Sequence, residues 1–208
     1  MAVTGVVLLG YVTVHMLANL KAFAGADALD GYGRWLRDLL EPVFGHEGLL
    51  WLIRFGLLLC VALHLLAAAA LARRAHAARP ESYRHRVRVQ GSYAARTMRW
   101  GGVIIALFVV YHVLDLTTGV LNPHGVSGQI YRNVTSDFQY WYVVLAYTVA
   151  VLALAFHVRH GVWAALRSLG VASAARARAV RMAALGYSVL LTAGFLSVPY
   201  AVFFGVVR

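Results

Sequence analysis

Five apolar runs, each close to the length of a membrane span, constrain this chain more than any other feature. They cover residues 3–23, 49–72, 100–118, 141–166 and 182–204. A helix crosses the hydrocarbon core of a bilayer in about 20 residues, and runs of this length exclude the strands of a membrane barrel. The content of 61% hydrophobic and 13% charged residues agrees with this assignment. The sequence therefore predicts an all-α integral membrane protein with five transmembrane helices in a single domain, 1–208.

Basic residues are distributed unevenly between the connecting segments. Segments 73–99 and 159–181 carry thirteen arginines against one acid, Glu81, whereas the other side of the predicted bundle carries six basic and seven acidic residues. By the positive-inside rule, the N-terminus is expected in the cytoplasm and the C-terminus outside. Because the charges follow topology, the net charge of +11 does not indicate nucleic-acid binding.

The first run resembles a secretory signal only superficially. Residues 22–24 read Ala-Phe-Ala, like a cleavage site, but no basic region precedes the run and it contains His15. We expect a retained helix with a very short lead-in, or a true start upstream of the stated one. Cys60 is the single cysteine, which excludes a disulfide framework and a thiolate metal cluster.

Four of the five runs contain one deeply placed histidine each: His15, His64, His112 and His157. An ionisable side chain in hydrocarbon costs roughly 2.5 kcal/mol or more unless it is partnered, so such a residue marks a functional site. At a rise of about 1.5 Å per residue, His15 and His112 lie roughly 18 Å from the inner face, and both are nearer the outside. His64 and His157 lie roughly 22 to 24 Å from the outer face, nearer the inside. The spacing thus predicts two levels with one histidine pair each.

A pair of imidazoles from facing helices suits a six-coordinate haem, whose iron takes four nitrogens from the porphyrin. Zinc requires three or four protein ligands together, and neither level offers an obvious third. A proton or metal transporter would also bury ionisable groups, although Asp115 is the only carboxylate inside a run. The residues favour a dihaem cytochrome and leave a transporter, or histidines with a structural role, as alternatives.

The connecting segments carry weaker signals. Residues 25–48 predict a short amphipathic helix at the outer interface, 122–125 predict a turn, and the aromatic residues of 131–142 predict an interfacial belt. Asn19 follows His15 by one helical turn and either lines the same site or bonds to a neighbouring helix.

Several segments together resemble the dihaem cytochrome b membrane anchor of succinate:quinone oxidoreductases, the single-polypeptide type with five helices. They are HMLANLK at 15–21, the helix around His64, RTMR at 96–99, HVLDLTTG at 112–119 and FHVRHGVW at 156–163. The resemblance covers nearly all of the chain and rests on the order and spacing of these segments. It implies two haem b groups whose axial ligands are the pairs His15/His112 and His64/His157.

The resemblance also implies partners and a location. A flavoprotein subunit that oxidises succinate and an iron–sulfur subunit would dock on the inner face, in a bacterial cell membrane, and electrons would pass through the haems to quinone. Dicarboxylate chemistry would belong to those partners and not to this chain. The ratio of 18 arginines to one lysine fits a high-GC bacterium, for which the family implies menaquinone. A cytochrome b anchor of another membrane dehydrogenase is the alternative. The chain departs from the family in lacking a basic segment before the first helix.

Two sets of residues are candidates for the surroundings of the haems and the quinone. Arg96, Arg99, Arg159 and His160 lie at the depth of the inner haem and are predicted to hold its propionates, with lipid phosphate as the alternative partner of the arginines. Quinone is predicted to bind near the outer haem, with Asp115 as the protonating group. The further candidates there are Tyr111, Asn19, Tyr32 and Trp35. Alternatively, Asp115 caps the third helix or pairs with Lys21, and quinone binds at the inner face beside the iron–sulfur partner.

Overall fold

The computed structural model describes residues 1–78, 91–170, 173 and 175–208, apart from the side chains of His76 and of residues 91–97. Over these residues the chain is helical and contains no strand. The helices are α1 (Ala2–Asn19), α2 (Ala26–Asp38), α3 (Glu41–Phe44), α4 (Gly48–Ala77), α5 (Gly91–His112), α6 (Ile130–Asp137), α7 (Trp141–Ser168) and α8 (Ala177–Phe203). A 3₁₀ turn, Leu20–Ala24, follows α1, and a π-helical segment, Val113–Thr117, follows α5.

Five of these helical stretches are long and apolar enough to cross a membrane, so the all-helical class and the five predicted spans are confirmed. They are Ala2–Ala24, Gly48–Ala75, Met98–Thr117, Trp141–Ser168 and Ala177–Phe203. Each starts or ends within a few residues of a predicted run. The last helix begins at Ala177, before the apolar run that starts at residue 182. Residues 177–181 are alanine, arginine and valine, and the first two are strong helix formers, so the helix extends beyond the part that suits lipid.

Helix α7 is the centre of the bundle. It packs extensively against α5 and α8, while α1 contacts α4, α7 and α8. A third of the most apolar stretch of α7 is buried inside the protein, against none of the corresponding stretch of α4. Outward-facing apolar residues are normal where lipid replaces water. Helix α4 therefore stands at the periphery, joined to the bundle mainly through α1.

Two short helices cover one end of the bundle, which we call the capped end. The amphipathic helix predicted within 25–48 is α2, and it packs against α6 and the 3₁₀ turn. Asp30 Oδ1 accepts the backbone N–H of Tyr131 at 2.9 Å, which satisfies a free donor in the first turn of α6. The sequence predicts only an aromatic belt over 131–142 and does not predict α6. The opposite end, reached by segments 73–99 and 159–181, is called the arginine-rich end.

The predicted turn at 122–125 is confirmed. The Asn122 side-chain oxygen accepts the backbone N–H of His124 at 3.0 Å, and the Asn122 carbonyl accepts the N–H of Gly125 at 3.1 Å. This is an Asx turn, in which the side chain mimics a backbone acceptor. The turn returns the chain from the end of the π-helical segment to α6 at the capped end.

Candidate functional site: two histidine pairs between helices

The four histidines lie in two pairs, each joining two different helices. His15 of α1 faces His112 of α5 with ring centres 5.8 Å apart and the ring planes at 77°. His64 of α4 faces His157 of α7 with ring centres 6.3 Å apart and the planes at 60°. All four side chains are partly buried. The first pair lies towards the capped end and the second towards the arginine-rich end, so the bundle has two levels.

Hydroxyl groups fix the orientation of one histidine in each pair. Thr4 Oγ1 lies 3.1 Å from His64 Nδ1, and the Tyr147 hydroxyl oxygen lies 3.0 Å from His112 Nδ1. Each hydroxyl has one proton, and each donates it elsewhere: Thr4 to the Met1 carbonyl at 3.1 Å, Tyr147 to Asp115 Oδ2 at 3.1 Å.

The direction of these bonds sets the protonation of both imidazoles. A hydroxyl that has already donated its proton accepts a hydrogen bond, so His64 and His112 each carry their proton on Nδ1. Their Nε2 atoms then hold a lone pair and no proton. An imidazole with Nδ1–H bonded to a second residue and Nε2 unprotonated is the form that binds metals.

The partners of the other two histidines differ. His15 stacks on Tyr11 with ring centres 5.5 Å apart and planes at 13°, and Phe195 lies 6.0 Å away. Nδ1 of His157 is buried and has no hydrogen-bond partner of good geometry among the described residues. The backbone of Met98 lies against this ring.

The ring separation in each pair fits a group that takes two imidazoles. An imidazole nitrogen binds a first-row metal at about 2 Å, so two axial imidazoles place their ring centres roughly 6 Å apart. The separations of 5.8 and 6.3 Å agree with that value. No group of three or more His, Cys, Asp or Glu side chains suited to a metal occurs in the described part of the chain. The donors therefore fit haem iron better than zinc.

Glycines adjoin the pair at the arginine-rich end. A Cβ at Gly5 would lie 3.7 Å from His64 Cε1, and a Cβ at Gly102 would lie 3.8 Å from His157 Cε1. Both distances are ordinary van der Waals contacts, so each glycine backbone lies close to one ring of this imidazole pair.

Two buried carboxyl groups lie beside the pair at the capped end. Asp115, in the π-helical segment, is 2% exposed, and Asp137, at the end of α6, is 5% exposed. Their side chains lie close enough to interact, and Asp137 Oδ2 is buried with no hydrogen-bond partner among the described residues. Burial, and then the charge of Asp115, raise the pKa of Asp137 to about 7. Two adjacent buried carboxyls cannot both ionise easily, so this pair holds a proton near neutral pH.

The hydrogen bonds connect the carboxyl pair to a histidine. Tyr147 bridges His112 and Asp115, and Tyr111 of α5 lies close enough to Asp115 to interact with it. Asp115 therefore neither caps a helix nor pairs with Lys21 among the described residues. Lys21 lies instead over the ring of Tyr32 at 5.5 Å.

The other predicted quinone-site residues surround this cluster less closely. Asn19 is partly buried at the end of α1, one turn beyond His15. Tyr32 and Trp35 stack on each other in α2 with ring centres 5.7 Å apart. The structure thus joins Tyr111 to Asp115 and places the remaining three residues on other elements of the capped end.

The predicted propionate partners lie at the arginine-rich end. Arg99 is exposed on α5, next to Met98, whose backbone lies against the ring of His157. Arg159 is exposed on α7, and His160 is close enough to interact electrostatically with His157. Arg96 belongs to α5, but its side chain is outside the described residues.

Three residues of this site are not identified by sequence reasoning: Thr4, Tyr147 and Asp137. Thr4 and Tyr147 are hydroxyl-bearing residues inside apolar runs, where such groups need partners, but the sequence does not reveal which partner they find. Asp137 lies four residues before the fourth run, so it does not stand out as a carboxylate within a span.

No family model, curated protein or solved structure matches this chain.

Proposed function

We propose that the chain is the dihaem cytochrome b anchor of a succinate dehydrogenase, carrying electrons from an iron–sulfur subunit to quinone. The observation that supports it most is the presence of two histidine pairs at two levels, each supplied by two separate helices with ring centres 5.8 and 6.3 Å apart. Four helices with one inward histidine each are an economical way to build two such sites in a bundle.

In this assignment His15 and His112 would hold the haem at the capped end, and His64 and His157 would hold the haem at the arginine-rich end. Haem iron bound by two imidazoles supplies one-electron transfer. Thr4 and Tyr147 hold the rings of His64 and His112 so that Nε2 points away from the hydrogen-bonded edge. Both rings are then oriented before the cofactor binds, which reduces the entropy lost on binding.

The distribution of charge supports an orientation and a place for the partners. Five crossings put the two termini on opposite sides, and the positive-inside rule assigns the arginine-rich end to the cytoplasm of a bacterial cell. The iron–sulfur and flavoprotein subunits would dock there, nearest the pair His64/His157. Arg96, Arg99, Arg159 and His160 are the proposed partners of haem propionates at that end.

Quinone reduction is proposed at the capped end, with menaquinone as the substrate that the resemblance favours. Quinone oxygens take up protons as they gain electrons, and a protonated carboxyl in reach lowers the barrier. Asp137, whose pKa is raised to about 7, would supply the proton, and Asp115 would relay it to the quinone oxygen. Tyr111, partly buried beside Asp115, is the further residue proposed to line this site.

Counting haems tests the proposal. The chain is expressed with its partner subunits, and a pyridine haemochrome assay is expected to give two haems b per chain. His64→Ala and His157→Ala should each remove the same haem, and His15→Ala and His112→Ala the other. His46→Ala is the matched control, because His46 is exposed and pairs with Asp38. A count of zero for the wild type would exclude the proposed function.

A second candidate function is proton transport without redox chemistry, which the buried carboxyl pair Asp115 and Asp137 favours. Carboxyls that hold a proton within a membrane bundle are common in proton pathways. Reconstitution separates the two functions. Proton flux through the haem-free chain in vesicles, with no flavin-bearing or iron–sulfur partner co-purifying, would support transport and contradict the anchor.

A further inference from the structure

Two arginines from different helices share one tryptophan ring at the arginine-rich end. The Arg167 guanidinium carbon lies 5.9 Å from the centre of the Trp163 ring, and that of Arg181 lies 5.3 Å from it. Trp163 and Arg167 belong to α7, one turn apart, and Arg181 belongs to α8. Both arginines are exposed, and Trp163 is partly buried. Both guanidinium groups lie in the range of cation–π attraction.

This concentration of positive charge has no counter-charge in the described protein. All ion pairs among the described residues lie at the capped end and involve Arg37, Arg54 and His46. By sequence, the segments at the arginine-rich end contain one acid, Glu81. The face of an indole attracts a cation but does not neutralise it. An external anion is therefore the partner that the arginines lack.

The depth of the three side chains indicates which anion this is. The apolar runs are 141–166 and 182–204, so Arg167 and Arg181 each lie one residue beyond the end of a run. At about 1.5 Å per residue, Trp163 lies roughly 5 Å inside its run. Tryptophan is typical of the interface between lipid chains and head groups. The three side chains therefore lie at the boundary of the apolar layer, where lipid phosphates are found.

We propose that Trp163, Arg167 and Arg181 form a binding site for the phosphate of an anionic phospholipid. The planar guanidinium groups suit a phosphate because each can donate two parallel hydrogen bonds to it. The contact with Trp163 limits the freedom of both arginines before the lipid arrives, so less entropy is lost on binding. The site lies where α7 packs against α8, and it does not depend on the haem assignment.

Quenching of Trp163 by brominated lipid tests the site in the full-length protein. The chain is reconstituted into phosphatidylcholine vesicles with a small share of brominated phosphatidylglycerol, or of brominated phosphatidylcholine as the reference. Each protein is compared with its own Trp163→Phe version, which isolates the signal of this tryptophan from the other four. Wild type should be quenched preferentially by phosphatidylglycerol, and the preference should fall about fivefold for each arginine removed in R167Q/R181Q.

A matched pair of neighbouring arginines separates a defined site from a diffuse charge. R176Q/R178Q makes the same change in net charge at the start of α8 and should keep most of the preference. An equal loss in both double variants would overturn the site. R167K/R181K keeps the charge without the planar group and should lose part of the preference, and full retention would overturn the role of the planar guanidinium groups.

Competition identifies the source of the phosphate. An excess of inorganic phosphate should leave the quenching preference unchanged, and its loss would mean that the site binds free phosphate rather than lipid. No preference in the wild type, together with co-purification of an acidic protein that requires both arginines, would assign the surface to a protein partner instead. Both of these results would overturn the proposal.

Discussion

Tyr147 of α7 donates its hydroxyl proton to Asp115 Oδ2 at 3.1 Å, which links the central helix to the π-helical segment after α5. The same oxygen lies 3.0 Å from His112 Nδ1 and accepts its proton. One hydroxyl thus connects a proposed iron ligand to a carboxyl that shares a proton with Asp137. A change in charge at His112 would be felt at the carboxyl pair through two hydrogen bonds.

Replacing Tyr147 with phenylalanine is expected to raise the midpoint potential of the haem at the capped end by about 40 mV. A hydrogen bond from Nδ1 makes the imidazole a better donor and stabilises the oxidised metal. One hydrogen bond is worth about 1 kcal/mol, and 59 mV corresponds to a factor of ten for one electron. An optical redox titration measures both potentials.

Tyr187→Phe is the control for this change. The Tyr187 hydroxyl also bonds between helices, to Thr13, but to no histidine. Both potentials should stay unchanged in this variant. Equal shifts in the two variants would mean that the potential responds to packing and not to the bond on His112.

Thr4→Val should produce the same upward shift, about 40 mV, in the other haem only. Thr4 accepts the Nδ1 proton of His64, and valine keeps the shape while losing the oxygen. Thr13→Val, on the same helix, is the control. A shift in the haem that responds to Tyr147→Phe would contradict the assigned pairs.

Depth along each run predicts which histidines share a level, because the rise of a helix is fixed. The hydroxyl partners at Thr4 and Tyr147 cannot be found in this way, since rotation of each helix about its own axis decides which side chains meet. The carboxyl pair is harder still. It depends on α6, a short polar helix whose position follows from packing against α2 and from Asp30 at its first turn.

Gly102→Leu should remove the haem at the arginine-rich end and leave the other in place. A Cβ at this position would already lie 3.8 Å from His157 Cε1, so the larger leucine side chain is expected to crowd this ring. Haem counting by pyridine haemochrome measures the loss. Gly56→Leu on α4 is the control, because a Cβ there has no neighbour within 4 Å among the described residues. Two haems in Gly102→Leu would contradict a cofactor beside this glycine.

Stability should fall with rising pH because of Asp137. Its pKa is raised from 3.8 to about 7 by burial and then by the charge of Asp115, so the folded state binds more protons than the unfolded state between those values. The contribution of Asp137 is complete below about pH 4 and is lost as the pH rises through about 7, with a slope of up to about 1.4 kcal/mol per unit.

Asp137→Asn isolates this contribution. The thermal midpoint of the wild type relative to the variant should decline from about pH 4 to about pH 7, and the comparison cancels the titration of the histidines. Asp27→Asn makes the same charge change at an exposed position of α2 and should follow the wild type. Parallel curves for wild type and Asp137→Asn would show that folding does not raise the pKa of this carboxyl.

Asp115→Asn should lower quinone reductase activity of the assembled complex by about 10² to 10⁴, the usual contribution of a proton donor. Both haems should be retained, since asparagine can still accept the hydrogen bond of Tyr147. Electrons that arrive from the arginine-rich end and protons that enter at the capped end would make turnover sensitive to membrane potential, by about 2.3 kcal/mol per charge for each 100 mV. The measurement is turnover in vesicles with and without an imposed potential, with Asp27→Asn as the control. Wild-type turnover in Asp115→Asn, undisturbed by the potential, would move quinone reduction to the arginine-rich end.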